Sequence, residues 1–420
     1  MSAPPSPNWQ KLLANVADAE VIFRVAPTDV SRPLDWARAI RHTLASPIGC
    51  PPLAELAGAG TRVVILADDG TRPTPQNRLL PPLLDCLNDA GVADADVTVL
   101  IALGTHRYMS RAEMRERFGT EVCGRVNVYN HTWRDESSLE NVGGTGSGIS
   151  LRFNRLALEA DLLIGTGSIV PHIWAGWGGG AKILLPGISA AESIAPTHAL
   201  AEREGDLTEV VGRADNACRA HIERAARRGG LDLILNCVVD AAGRPAWIGA
   251  GDPVRAHRAG VKAAERVFRR PIPVPADVLL ADARPAVKDY WQGIKALAHA
   301  SRGTRRGGTV VLVGPFRDGV APTHPEFLRH ARRSPDEILA LAREGCISDP
   351  VIVTTLRLHA MLRERCNVIC LSDGLSPEDA DALGFHHAPS PTDALRQARE
   401  LTGRDPSLGI IEYAGDLLPR

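Results

Sequence analysis

Polar side chains that could take part in catalysis cluster in three short stretches of the sequence, each directly after an apolar run. Residues 68–75 read DDGTRPTP, residues 104–107 read GTHR, and residues 165–172 read GTGSIVPH. In open parallel sheets, ligands bind beyond the carboxyl ends of the strands. Carboxylates and imidazoles serve as general acids and bases, and a guanidinium binds carboxylates. Any one of the stretches could serve only to cap a helix or form a turn, but the three together predict one shared site.

A glycine-rich segment with one lysine follows at once, and residues 174–187 read WAGWGGGAKILLPG. Gly178, Gly179 and Gly180 can expose backbone N–H groups and let an anion approach closely. Lys182 then enters an apolar stretch, where burial would lower the pKa of its ammonium group. A lowered pKa favours a nucleophilic or covalently modified amine. The alternative is a lysine that extends from the glycine loop to solvent.

Three common motifs are excluded by neighbouring residues. A P-loop needs Gly-Lys followed by Ser or Thr, but Ala181 precedes Lys182 and Ile183 follows it. A dinucleotide fingerprint fails because Val170 stands where the third glycine should be, and no H-E-x-x-H zinc motif occurs. His198 lies sixteen residues after Lys182. Taken alone, it is interpreted as a structural histidine of a helix.

Apolar runs alternate with amphipathic segments along most of the chain. The runs are rich in β-branched residues and almost continuously apolar, which is typical of strands covered on both faces; they are residues 62–67, 97–103, 161–164, 231–239, 278–281, 309–313, 351–355 and 368–371. The helical segments between them include residues 215–228, 253–269 and 335–343. This alternation predicts an α/β fold with mostly parallel sheets flanked by helices.

A proline-rich connector, RPIPVPA at residues 270–276, divides the chain. We predict an N-terminal cofactor-binding and catalytic domain at residues 1–272 and a C-terminal α/β domain at residues 273–420. The last residues could pack back on the N-terminal domain. The active site is expected in the crevice between the domains.

The composition limits the class of protein. Hydrophobic residues make up 44% of the chain, and 48 basic against 49 acidic residues give a net charge of −1. These values are typical of a soluble globular protein and exclude a general attraction to nucleic acid or anionic membranes. The first ten residues do not resemble a signal peptide, no apolar stretch is long enough to span a bilayer, and the eight cysteines form no C-x-x-C pair. We therefore expect a cytoplasmic protein with buried thiols.

Taken together, these motifs resemble the lactate racemase family, the nickel-pincer-nucleotide-dependent 2-hydroxyacid racemases and epimerases. The resemblance is carried by DDGTRPTP at residues 68–75, GTHR at residues 104–107, NHTW at residues 130–133, and GGAKILLPGI at residues 179–188. A fifth match is WQGIK at residues 291–295. The motifs fall in family order along nearly the whole chain.

The resemblance implies a role for each matching residue. Lys182 would carry the pincer nucleotide covalently, and His198 would ligate its nickel. His106 and His172 would be the paired catalytic histidines. Further cofactor contacts are expected at Asp69, Thr71, Gly178, Gly179 and Gly180, and substrate contacts at Arg72, Trp291, Gln292 and Lys295. The implied partners are a small 2-hydroxy acid and the separate enzymes that mature the cofactor.

Two positions depart from the family pattern. Trp177 stands where phenylalanine is expected, and Trp291 where tyrosine is expected. Residues 350–380 contain no aromatic side chain, although lactate-specific members are expected to have one there. The walls of the pocket are therefore expected to differ, and the substrate need not be lactate.

The implied reaction suits these residue types. The C2 hydrogen of a 2-hydroxy acid is a poor acid beside a carboxylate, so its removal as hydride, with a base taking the hydroxyl proton, is the easier route. Two bases are needed because the two enantiomers present their hydroxyls on different sides. Domain closure about the connector is expected to bring Gln292 and Lys295 onto the substrate. Two other interpretations remain: a non-catalytic protein that binds or stores the nickel nucleotide, and a Lys182 Schiff base with pyridoxal phosphate.

Overall fold

A computed structural model describes residues 4–17, 19–146, 148–403 and 405–420. Within these residues, the first large sheet consists of six strands, and all neighbours are parallel except the edge strand Pro245–Gly251, which is antiparallel to its neighbour. In spatial order the strands are Pro245–Gly251, Leu233–Val239, Leu162–Ser168, Val63–Asp68, Val97–Ala102 and Asn127–Asn130. The predicted runs at 62–67, 97–103, 161–164 and 231–239 all lie in this sheet.

The second large sheet is parallel throughout the described strands. In spatial order they are Val21–Val25, Leu408–Ile411, Ala276–Asp282, Thr304–Val313, Asn367–Leu371 and His386–His387. Short antiparallel pairs complete the strands, with Leu139–Gly144 against Ser150–Asn154 and Pro171–His172 against Gly176–Trp177. The predicted α/β class with mostly parallel sheets is confirmed.

Helices connect and cover these strands. The described helices are Pro7–Asn15, Trp36–Ala45, Leu53–Leu56, Gln76–Asp89, Arg111–Arg125, Arg155–Leu158, Ala191–Ala199, Ala217–Arg228, Arg255–Phe268, Tyr290–Arg302, Glu326–His330, Pro335–Arg343, Ile352–Arg365, Pro377–Leu383 and Pro391–Thr402. None of the helices in the described residues has the length and apolar character needed to cross a bilayer.

The apolar runs are continuous because each strand is covered on both faces. In Val63–Asp68, the side chains of Val63 and Ile65 join one hydrophobic cluster, whereas those of Val64 and Leu66 join another. All six residues of the strand are buried. Burial of both faces removes the polar alternation that a half-exposed strand would show.

One predicted strand is wrong. Residues 351–355 are rich in β-branched side chains, but they begin the helix Ile352–Arg365. The carboxylate of Asp349 accepts a hydrogen bond from the Val351 N–H at 3.0 Å and satisfies a free donor at the start of this helix. Ile352, Leu356 and His359 are buried at helical spacing. A five-residue apolar run does not distinguish the first turns of a buried helix from a strand.

The division of the chain at residue 272 remains a prediction, and the strand pairing crosses it at both ends. Val21–Val25 pairs with Leu408–Ile411 in the second sheet. Arg269–Arg270 pairs with Leu418–Pro419, and the Arg420 N–H donates to the Arg270 carbonyl at 2.8 Å. The two chain ends therefore each contact the other half of the sequence.

Candidate active site

A cavity of about 1000 Å³, including its open mouth, lies beyond the carboxyl ends of the strands Val63–Asp68, Val97–Ala102 and Leu162–Ser168. Its lining combines these strand ends with residues that follow the connector. The predicted site residues on its wall are Asp69, Arg72, His106, His172, Gly178, Gly179, Lys182, His198, Trp291, Gln292 and Lys295. Thr71 instead lines a smaller adjoining cavity. Gly180 lies behind the wall, where a Cβ atom would meet the His257 ring at 2.8 Å.

His106 is oriented by a carboxylate. Its Nδ1 lies 2.8 Å from Asp69 Oδ2, so it carries the proton that Asp69 accepts. Its Nε2 lies 3.0 Å from the Gln292 amide nitrogen, and this ring nitrogen is the acceptor. The lone pair of His106 Nε2 therefore points toward a residue of the opposite cavity wall.

Asp69 is held in its ionised form. Burial acts to raise the pKa of Asp69, but His106 and Arg72 outweigh it and lower the pKa well below its usual range. The other carboxylate oxygen accepts hydrogen bonds from the Thr71 N–H at 3.1 Å and the Thr71 hydroxyl. Thr71 therefore supports the carboxylate that orients His106.

His172 is oriented by the backbone. Its Nδ1 accepts hydrogen bonds from the N–H groups of Trp174 and Ala175, both at 3.2 Å, so the proton of the neutral ring is on Nε2. Burial lowers the pKa of His172 well below its ordinary value, and the charges of Lys182 and Arg72 lower it further. His172 is therefore a neutral ring.

Lys182 lies on a short 3₁₀ turn, Gly180–Ile183, at the end of the glycine segment. Its side chain lines the cavity next to Gly178 and Gly179. Burial lowers the pKa of Lys182 well below its ordinary value, and Arg72 and Lys295 lower it further. A lowered pKa increases the fraction of neutral, nucleophilic amine.

Glycine is required at positions 179 and 180 for two reasons, the positive backbone φ angle and the lack of space for a Cβ atom. Gly179 has φ +70°, and a Cβ atom there would lie 2.8 Å from the Ile169 side chain. Gly180 has φ +61°, and its N–H donates to Asn236 Oδ1 at 2.7 Å. Left-handed backbone is accessible to glycine without the strain that a Cβ atom brings.

Sequence reasoning missed the residues that hold this segment from behind. Arg219 is fully buried and donates to the carbonyls of Ala175, Trp177 and Gly179. His257 Nε2 donates to the Gly178 carbonyl at 2.9 Å. Burial lowers the pKa of Arg219 to about 10, so its guanidinium remains charged at neutral pH. In the sequence, Arg219 lies within the predicted helix 215–228, and nothing in its neighbourhood distinguishes it from an arginine on the surface of that helix.

His198 has a buried ring nitrogen without a hydrogen-bond partner. It lies near the end of the helix Ala191–Ala199 and lines the cavity, and its Nε2 has no partner among the described residues. Burial lowers the pKa of His198 to about 3, with contributions from Lys182 and His106. A buried, neutral, unpartnered imidazole nitrogen suits coordination of a soft divalent metal.

The donor set fits a metal that brings other ligands with it. No group of three or more His, Cys, Asp or Glu residues that could hold a metal occurs in the described ranges. His198 can supply one nitrogen donor, and Lys182 can supply a covalent anchor on the same wall. These residues fit an organometallic nucleotide such as the one implied by the sequence motifs.

Positive charge collects on the side of the cavity where a substrate carboxylate is expected. Arg72 Nη1 donates to Gln292 Oε1 at 3.3 Å, and Lys295 Nζ donates to the same oxygen at 2.7 Å. Burial and Arg72 lower the pKa of Lys295, although the buried Asp416 opposes this shift. The Gln292 amide oxygen therefore accepts hydrogen bonds from both basic side chains. A substrate carboxylate at the same place would be a stronger acceptor.

The second half of the chain adds an apolar wall. Trp291 and Ile294 come from the helix Tyr290–Arg302, and Val351 and Thr355 lie at the start of the helix Ile352–Arg365. Trp177 does not line the cavity; it is fully buried, and its Nε1 donates to the Gly212 carbonyl at 3.1 Å.

Comparison with known proteins finds similarity to lactate racemases. Residues 9–207 match the model of the lactate racemase N-terminal domain. The lactate racemase of Thermoanaerobacterium thermosaccharolyticum is 28% identical over 380 residues, which cover 89% of this chain and 88% of that protein. The lactate racemase of Lactiplantibacillus plantarum is 27% identical over 379 residues, with the same coverage.

Solved structures agree with these matches. The lactate racemase apoprotein of T. thermosaccharolyticum superposes with a TM-score of 0.81 at 26% identity and covers 96% of this chain and 95% of its own. A protein of Thermotoga maritima, at 20% identity, shares the fold with a TM-score of 0.74 over 94% of this chain and 100% of its own. Residues 9–207 of the chain thus carry the lactate racemase N-terminal domain, the chain is similar to lactate racemases over nearly its whole length, and it is an isomerase of the racemase type.

Proposed function

We propose that this protein inverts the carbinol carbon of a 2-hydroxy acid by hydride transfer, with a nickel-pincer nucleotide attached to Lys182. The observation that carries the proposal is the meeting of two differently oriented imidazoles, His106 and His172, with Lys182 and the unpartnered His198 around one cavity. A protein that only stored the cofactor would need Lys182 and His198. It would have no use for the carboxylate that orients His106.

The cofactor would be held by residues of the glycine segment. Lys182 would form the covalent link, His198 Nε2 would be the protein ligand of nickel, and the glycines would accommodate the ring against the backbone. Asp69 would contact its polar periphery, and Thr71 would support the Asp69 carboxylate from the adjoining cavity. When bound, the group supplies an electron-poor centre that accepts a hydride from C2 and returns it.

The substrate carboxylate would be bound by Arg72 and Lys295. Both cations already converge on Gln292 Oε1, and a carboxylate would replace this amide oxygen as the stronger acceptor. The Gln292 amide would then be free to donate to the substrate. Binding at this point fixes C2 between the two imidazoles and reduces the entropy cost of reaction.

His106 would take and return the hydroxyl proton on one side. Its Nε2 lone pair accepts from the Gln292 amide in the free protein and would accept the substrate hydroxyl in place of that amide, and Asp69 would stabilise the imidazolium that forms when the proton arrives. His172 would serve the oxygen on the other side, with its Nε2–H as a hydrogen-bond donor in the resting protein. In the resting protein the two rings would thus meet the two hydroxyl positions differently, His106 with a lone pair that can take the proton and His172 with an N–H that binds the oxygen.

The substrate is proposed only as a 2-hydroxy acid. The second-half wall of Trp291, Ile294, Val351 and Thr355 is partly apolar and contains one hydroxyl, so the side chain of the acid would meet an apolar surface with a single polar group. The proposal also includes separate enzymes that assemble the cofactor, and a cytoplasmic setting.

The experiment that tests the proposal uses protein matured with nickel and the cofactor-assembly enzymes. We expect an adduct on Lys182 by intact mass and peptide mapping, and racemisation of at least one acid from a panel of aliphatic, aromatic and dicarboxylic 2-hydroxy acids. In deuterated water, the C2 hydrogen should be retained in the inverted product. Deuterium incorporation at C2 would contradict hydride transfer, and an adduct without turnover would favour a storage protein.

Two variants separate attachment from catalysis. Lys182→Ala should carry no adduct and show no turnover. His106→Ala should retain the adduct but lose at least about a hundredfold in kcat, which is the usual contribution of a general base. An unchanged kcat in His106→Ala would contradict the two-base scheme.

A further inference from the structure

A second carboxylate-oriented imidazole stands beside the active site. His324 is 2% exposed, and its Nδ1 donates to Asp349 Oδ2 at 2.6 Å. The opposite nitrogen, Nε2, therefore accepts, and its donor is the hydroxyl of Thr105 at 3.0 Å. None of the motifs in the sequence marked His324 or Asp349.

This arrangement mirrors that of His106 across the cleft. His106 lies in the N-terminal half, is oriented by Asp69, and receives a hydrogen bond from Gln292 in the C-terminal half. His324 lies in the C-terminal half and receives a hydrogen bond from Thr105 in the N-terminal half. Two hydrogen bonds to imidazole rings thus link the halves. In one the C-terminal half supplies the donor, Gln292, and in the other the N-terminal half supplies the donor, Thr105.

The hydrogen-bonded pair of His324 and Asp349 contacts several walls of the cavity. The His324 and Trp291 rings stack with centroids 4.7 Å apart, and Trp291 lines the cavity. Asp349 also accepts from the Val351 N–H at the start of the helix whose Val351 and Thr355 line the cavity. One His–Asp pair therefore fixes the indole wall and the start of a wall helix.

Thr105 connects this pair to His106. It precedes His106 in a tight turn in which the His106 N–H donates to the Leu103 carbonyl at 3.0 Å and the Gly104 N–H donates to the Gly187 carbonyl at 2.8 Å. The Thr105 side chain lines the cavity and is itself buried. A displacement of Thr105 would move the neighbouring backbone of His106 with it.

We propose that His324 is a positioning residue for His106: oriented by Asp349, it holds Thr105 and thereby ties the catalytic turn of the N-terminal half to the C-terminal half. The assignment of a catalytic consequence rests on the proposed function. His172, by contrast, is oriented by its own neighbouring backbone.

The test compares Thr105→Val, which removes the hydroxyl at nearly constant volume, with Thr105→Ser, which retains it. Hydrogen–deuterium exchange of the peptide covering residues 103–107 is measured on the cofactor-free protein. We expect Thr105→Val to exchange roughly threefold to tenfold faster in this peptide, as the loss of one buried hydrogen bond would predict, and Thr105→Ser to restore protection. Thr402→Val is the matched control, since its hydroxyl bonds within a helix to Ala398 and lies away from the cavity.

Turnover of the matured protein gives the second readout. Thr105→Val should lower kcat roughly tenfold with a smaller change in KM, and Thr105→Ser should recover most of it. His324→Phe retains a ring against Trp291 but loses both hydrogen bonds. If Thr105 acts through His324, the double variant should be no slower than His324→Phe alone.

The outcomes are distinguishable. Unchanged exchange in Thr105→Val, or strictly additive losses in the double variant, would overturn the proposal. If the exchange pattern is as expected but matured wild-type protein racemises none of the acids, the link between the halves stands and the proposed function fails.

Discussion

Two of the histidines that line the cavity, His106 and His172, are held in opposite ways. His106 donates from Nδ1 to the carboxylate of Asp69, whereas His172 accepts at Nδ1 from the N–H groups of Trp174 and Ala175. The carboxylate places the proton of the neutral His106 ring on Nδ1, whereas the two N–H donors place the proton of the His172 ring on Nε2. Two residues of the same type in one cavity therefore present opposite groups to it, His106 a lone pair and His172 an N–H.

The difference extends to what supports each ring. His106 depends on contacts that cross the cleft, since Gln292 comes from the second half of the chain. His172 depends on the local turn at residues 172–177 and on Arg219 behind it, all within the first half. The His172 side is therefore a pre-formed surface, whereas the His106 side is completed by the other half of the molecule.

The largest expected effect comes from removing the charge behind His106. Asp69→Asn keeps the shape but loses the negative charge that stabilises the imidazolium, so kcat of the matured enzyme should fall roughly a hundredfold to a thousandfold. Steady-state kinetics and circular dichroism of the same preparation separate catalysis from folding. A variant that retains a third of the wild-type kcat would mean that the carboxylate does not distinguish the two histidines.

A change in backbone should affect the His172 side most. Gly176 has φ +69°, and a Cβ atom there would lie 1.8 Å from the Arg213 carbonyl oxygen. Gly176→Ala should therefore lower the free energy of unfolding by about 3–5 kcal/mol, measured by urea denaturation. Gly60→Ala is the matched control: it has φ +79° but open space around its Cβ position, so only the strain of about 1–2 kcal/mol is expected. Equal losses would show that the turn beside His172 is not rigidly packed.

The pH dependence of kcat/KM tests the role of the charge on Lys295. Burial and Arg72 lower the pKa of Lys295, so its charge, and with it the affinity for a carboxylate, is lost as pH rises through a value well below 10.5. We expect kcat/KM to fall on the alkaline side by up to about tenfold. In Lys295→Arg the charge persists, because arginine does not deprotonate in this range, and the alkaline fall should move upward by at least about one pH unit. If the alkaline decrease in kcat/KM occurs at the same pH in Lys295→Arg, it belongs to the titration of another group.

The last test changes nothing in the protein and observes the His106 and His172 rings by NMR spectroscopy. Long-range ¹H–¹⁵N correlation spectra of histidine-labelled protein at alkaline pH should show the Nδ1–H tautomer for His106 and the Nε2–H tautomer for His172. Spectra of His106→Gln and His172→Gln assign the signals. The same tautomer for both rings would remove the basis of the comparison.

Much of the site could be predicted from the sequence, because its residues follow strand ends in compact motifs. The runs at 62–67, 97–103 and 161–164 became neighbouring parallel strands, and the loops after them meet at one cavity. The β-branched run at 351–355 misled, since the first turn of a buried helix has the same composition as a strand. Trp177 was expected to alter the pocket but packs in the core.

The supporting residues could not be predicted, because their partners are distant in sequence. Arg219 contacts carbonyls some 40 residues earlier, and His324 contacts Thr105 at a separation of 219 residues. Such pairs have no local pattern, since neither residue has a spacing that marks it. They form only when the two sheets and their loops are assembled.

The sequence by itself determined the class of fold, the cavity-facing lysine and histidines, and the similarity to lactate racemases, because periodic burial and short motifs are local properties of the chain. Only the tertiary structure decided which nitrogen of each histidine is protonated, which carbonyls Arg219 holds, and where the second half of the chain meets the first. Those features depend on hydrogen bonds between segments far apart in sequence, whose geometry is fixed by packing rather than by the order of residues.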